Sequence, residues 1–173
     1  AVEGTTNNTL AFTVTQSNAS NFATDIVVKL VLNEVEAADI TSVTYVDASG
    51  NPQTTTVADL VAGLALTIPA TADGSAPWSP VFTFTVAQDA IYEVSEALRM
   101  ELALGSVETD ATLGTASATA TIYDEDGTTQ SEPNPLNGDK LGDKPVVSIA
   151  ATDNNAVEGT TNNTLAFTVT QSN

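Results

Sequence analysis

The chain predicts an all-β fold: an antiparallel β-sandwich of seven to eight short strands. Three observations point there. Apolar and polar residues alternate with period two over most of residues 9–123. Clusters of Gly, Pro, Asn and Asp punctuate those stretches at short intervals. No stretch carries the spacing of a long amphipathic helix. Period-two alternation with one polar face describes antiparallel sheets that cover a shared core.

The first strand is expected in "TLAFTVTQ" (9–16), where Leu10, Phe12 and Val14 share a face. "DIVVKLVLN" (25–33) places Ile26, Val28, Leu30 and Leu32 on one side and Lys29 on the other. "SVTYV" (42–46), "QTTTV" (53–57) and "LALTIP" (64–69) read as shorter strands, with one helical turn predicted inside 55–63. "VFTFTV" (81–86) sets Phe82, Phe84 and Val86 against threonines. "ALRMELALG" (97–105) turns Leu98, Met100, Leu102 and Leu104 inward, and "ASATATIY" (116–123) does the same with Ala118, Ala120 and Ile122. Turn-forming runs at 47–52, 72–77 and 106–114 separate them. Strands of this number and spacing predict the immunoglobulin-like type of sandwich.

Residues 127–144 break the pattern. They are polar, contain Pro133 and Pro135, and have no apolar period, so they read as a linker. A further strand, "VVSIAA" (146–151), follows. Then the eighteen residues that open the chain at Ala1 return unchanged at Ala156. Identity that extends to positions packing does not dictate points to a tandem array of near-identical units, 155 residues apart from Ala1 to Ala156. The organisation expected is a 1–126 sandwich lacking its own first strand, a linker over 127–144, and 145–173 as the first strands of the next repeat. The 18-residue linker reaches at most about 60 Å. Strand 146–151 is therefore expected to complete the 1–126 sandwich in cis, or to do so in a neighbour as a strand-exchanged homo-oligomer or fibre.

Charge narrows the function. Twenty-two acidic residues face four basic ones, a formal charge of -18. That excess repels nucleic acid and anionic lipid. No apolar run is long enough to span a bilayer, and no signal peptide is visible, so targeting is expected to lie elsewhere in a longer parent or to be absent. Cys and His are both missing. Without them no nucleophile–base pair can be assembled persuasively, and an enzyme is not expected.

The acids gather at strand ends. Glu3 precedes the first strand; Asp89, Glu93 and Glu96 follow the 81–86 strand; Asp124, Glu125 and Asp126 close the last. Successive strands run up and down, so such ends can meet at one pole. Carboxylates meeting there need counter-charge, and Ca2+ accepts six to eight oxygen ligands in a flexible shell, whereas zinc and copper favour the missing His and Cys. The alternative is a set of solvated loop acids.

"AVEGTTNNTLAFTVTQS", "VEAADI", "FTFTVAQDAIYEVSEALRMEL" and "ATLGTASATATIYDED" together resemble the successive motifs of Calx-beta domains, over about residues 1–126 plus the strand at 145–155. The resemblance implies a seven-stranded immunoglobulin-like sandwich with calcium at one pole, near the junction with the next domain. It places metal ligands on Glu3 and its copy Glu158, on Asp39, on Asp89, Glu93 and Glu96, and on Asp124, Glu125 and Asp126. Gln88 and Ala90 stand where calcium-rich members carry acids, which implies fewer or weaker ions. Near-identical tandem units also resemble the extender regions of giant bacterial RTX-type surface adhesins. That implies an extracellular, cell-surface rod used in adhesion or biofilm, whose partners are neighbouring repeats. A glycan-binding role for the sandwich is the alternative, with Trp78 as a stacking platform or, more simply, a plug against a sheet edge.

Overall fold

The computed structural model describes residues 1–4, 8–71, 73–89, 91, 93, 95–105, 110–123 and 145–172. The chain is nearly all β, and every ladder is antiparallel. Its strands are β1 (Thr9–Thr13), β2 (Thr24–Leu32), β3 (Ile40–Val46), β4 (Pro52–Thr55), β5 (Leu64–Ile68), β6 (Val81–Val86), β7 (Glu96–Leu104), β8 (Ser117–Ile122), β9 (Val146–Asp153) and β10 (Ala166–Ser172). A 3-10 turn at Ala37–Asp39 leads into β3, and a short helix, α1 (Val57–Ala62), lies between β4 and β5.

Two four-stranded sheets carry the order β1-β6-β3-β4 and β5-β2-β7-β8. Their inward residues form one core. Phe12, Val43, Phe82 and Phe84 come from the first sheet; Ile26, Val28, Leu30, Leu98, Met100 and Ile122 come from the second. The alternation puts them there, since every second residue of a pleated strand faces the same side. Phe12 and Phe84 meet edge to face with centroids 5.7 Å apart, and Tyr45 stacks on Phe82 at 5.1 Å. The helical stretch is longer than one turn. Thr56 caps it by accepting the Asp59 N–H at 3.0 Å, and Leu60 is fully buried beneath it. Gly63 ends it at φ 107, a left-handed backbone that favours glycine. The Trp78 indole N–H donates to the Val46 carbonyl at the end of inner strand β3, 3.1 Å away, and its ring packs against the core rather than offering a sheet-edge plug.

Residues 1–3 join the second sheet. Val2 forms a parallel bridge with Tyr123; the Glu3 N–H donates to the Tyr123 carbonyl at 2.9 Å, and the Tyr123 N–H to the Ala1 carbonyl at 3.0 Å.

β9 and β10 form a hairpin of their own. Among the described residues β9 is hydrogen-bonded to β10 and to no strand of the two four-stranded sheets. The predicted linker at 127–144 lies outside the described residues.

Candidate metal centre

One end of the sandwich collects acids from two connections. The β2–β3 connection carries Glu36 and Asp39. A 3-10 turn repeats every three residues, so positions three apart lie over one another. The Asp39 Oδ2 accordingly accepts the Glu36 N–H at 2.5 Å. The Asp39 carbonyl accepts the Ala87 N–H at 2.7 Å, which ties the turn to the end of β6. The β6–β7 connection carries Asp89 and Glu93, with the Asp89 Oδ1 accepting the Ile91 N–H at 2.8 Å.

Glu96 opens β7. It shares the phase of Leu98 and Met100, so its side chain enters the sandwich rather than facing water, and it is 9% exposed. Glu36, Glu93 and Glu96 each place a carboxylate oxygen within 4.8 Å of the others. Asp39, 4% exposed, shares a hydrogen bond with Glu96.

This crowding is costly for charge. Burial, then the charges of Asp39, Glu93 and Glu36, push the Glu96 carboxyl up to about 7. Burial also raises Asp39, helped by the charges of Glu36 and Asp89 and opposed by the Glu36 N–H. The described basic side chains do not relieve it: Arg99 bonds Glu101 at 2.9 Å, and Lys29 lies across the β2–β7 ladder from Glu101. The Glu96 Oε2 is buried with no hydrogen-bond partner. A buried acceptor with nothing to accept is expensive. The group needs a proton or a cation, and its donors are all oxygen, so the three glutamates could hold a metal ion of the hard class.

No family model, curated protein or solved structure matches this chain.

Of the residues expected to bind metal, Asp39, Asp89, Glu93 and Glu96 interact electrostatically at this end. Glu3, 4% exposed, is held at the end of β8 through Tyr123; Tyr123 follows Ile122, the ladder partner of Glu96. Asp124, Glu125 and Asp126 lie outside the described residues. Glu158 is exposed in the β9–β10 connection, remote in sequence from these elements. Glu36 was not foreseen. Its signal was the spacing Glu-x-x-Asp at the start of a short turn, which places the two carboxyls on one side.

Proposed function

We propose that this chain is a structural extender repeat of a large bacterial cell-surface adhesin or matrix protein, built on an immunoglobulin-like, Calx-beta-like sandwich and stiffened by calcium at its acidic end. The observation that carries the metal is the convergence of Glu36, Glu93 and Glu96 around an unpartnered, buried Glu96 oxygen. Glu36, Glu93 and Glu96 would hold the ion, with Asp39 as a nearby carboxylate. Calcium suits this shell because it tolerates irregular oxygen ligation, while magnesium demands near-ideal octahedral geometry. The extender role rests on the eighteen-residue copy at 156–173 and on the rod-like logic of tandem sandwiches. A cation bridging two connections of one sandwich end removes the repulsion that would otherwise loosen it.

Thermal unfolding tests this reading. The protein is melted in calcium and in excess chelator at fixed ionic strength, with magnesium as control. A calcium-specific rise of about ten degrees or more is expected, because an ion that binds only the native state stabilises it. Equal melting in all three conditions would leave solvated acids and a calcium-independent spacer.

A further inference from the structure

The sandwich has a groove at the end away from the Glu36, Glu93 and Glu96 cluster. Among the described residues β1 is an edge strand, paired with β6 on one side only. Beside it lies a cavity of about 700 Å³, lined by Phe12, Val14 and Gln16 of the β1 segment and by Met100, Leu102 and Ala118 of the facing sheet. Ala118 shares the inward phase of half-buried Ala120 and buried Ile122, yet it is exposed. The Gln16 Oε1 is buried there without a hydrogen-bond partner. Threonine, serine and asparagine side chains share the lining, so the groove is part apolar and part polar, and an open edge beside such a groove is where a further strand would sit.

The hairpin is the matching part. Residues 156–173 repeat 1–18, so β10 is β1 and its continuation, shifted by the distance from Ala1 to Ala156. Phe12 is 8% exposed, whereas its copy Phe167 is 62% exposed. The β9–β10 register pairs Phe167 with Ala151, Val169 with Ile149 and Gln171 with Val147. One hairpin face is therefore apolar, with Val147, Ile149 and Val169 all about two-thirds exposed. Transferred onto the first copy, the same register lays Ala151, Ile149 and Val147 beside Phe12, Val14 and Gln16. Those are the β1-segment residues that line the cavity.

We propose that the groove is the seat of the hairpin of a second copy of this chain: β10 replaces β1 against β6, and β9 fills the groove outside it. The exchange gives back every contact that β1 loses, because the sequences are identical. What it adds is the burial of Val147, Ile149 and Ala151 in the groove, against Leu102 and Ala118. Donor hairpin and acceptor groove are different surfaces, so the contact closes as a reciprocal dimer or continues as a filament. This inference needs no metal and stands apart from the calcium reading.

Engineered cysteines test it in a chain that has none. The ladder pairs Ala11 with Thr83, so the exchange pairs Ala166 of one copy with Thr83 of another. Ala11 and Thr83 form a non-hydrogen-bonded pair, because the neighbouring bonds run from Val86 to Asn8 and from Val14 to Pro80. Such pairs lie within disulfide reach. The full chain carrying Thr83→Cys and Ala166→Cys should oxidise to interchain dimers or a ladder, with a matching mass by light scattering. The out-of-register pair Thr83→Cys and Ser172→Cys should not. Adding Phe167→Asp and Val169→Asp should abolish the cross-link without lowering the melting temperature of the monomer, since both side chains are exposed there. An intrachain disulfide in a monomer would overturn the proposal by seating the chain's own hairpin in the groove. Free thiols, or equal cross-linking of the mismatched pair, would overturn it as well.

Discussion

Glu96 donates a hydrogen bond to Asp39, one buried carboxyl to another, where the first residue of β7 meets the β2–β3 connection. Two carboxylates cannot form that bond; one must keep its proton, and Glu96, pushed up to about 7, is the one that does. The folded state thus holds a proton that the unfolded chain releases near 4.5. Stability from this group is fully present below about 4.5 and is lost as pH rises through about 7. Melting temperature measured in chelator should fall across that window. Glu96→Gln keeps a donor for Asp39 but does not titrate, so the fall should flatten in that variant. The same slope in both proteins would place the proton elsewhere.

Glu36 and Glu93 repel Glu96 in the ion-free protein and would serve it as co-ligands in the loaded one. Replacing either by Gln should therefore act in opposite directions. Melting in chelator should stay level or rise slightly, because like charge is removed. The calcium-dependent rise should drop by about half or more, because a site with fewer carboxylates binds more weakly. Calorimetric titration checks the same point through the dissociation constant. A variant that loses stability in chelator and keeps the full calcium response would contradict the site.

Phe84 is fully buried, and its ring meets Phe12 edge to face. Phe84→Ala leaves a void between the sheets that close packing cannot repair, and should cost about 3–5 kcal/mol in urea unfolding. Phe167→Ala removes the same chemical group from an exposed strand of the dilute monomer and should change little.

Alternation made most of this architecture readable in advance. Phe12, Val28, Phe84 and Leu98 lie in the core because their phase along a pleated strand leaves no other choice. The same rule accounts for the burial of Glu96, an acid on the inward phase of β7 two residues before Leu98, which the sequence marked only as an acid at a strand end. Glu36 was hidden for a different reason. Its meeting with Glu93 and Glu96 depends on how the β2–β3 connection crosses between sheets, and crossings leave no local period. The hairpin was ambiguous for a third reason. β9 finds the same ladder on β1 and on β10, so identical residues offer two pairings, and only packing beyond the strand itself discriminates between them.

Gly63 has φ 107 and its N–H donates to the carbonyls of Asp59 and Leu60, closing α1. A Cβ placed there would stand 3.1 Å from Val27 Cγ1. Gly63→Ala therefore combines backbone strain with a tight contact and should cost more than about 1 kcal/mol. Thr56→Ala at the other end of the helix removes the cap and should cost about 1 kcal/mol. Urea midpoints of the two variants check both.

The parallel bridge between residues 1–3 and the end of β8 gives the unit a preferred direction of strength. Ala1 donates to Thr121 at 3.0 Å, Tyr123 to Ala1 at 3.0 Å, and Glu3 to Tyr123 at 2.9 Å. Because the two segments run the same way, tension entering at residue 1 and leaving beyond residue 123 slides them lengthwise past each other. All the bonds of the bridge then bear load together. An antiparallel arrangement pulled from the same two points would instead open like a zip, one bond at a time. Stretched along its chain, this sandwich meets force first at its most evenly loaded seam.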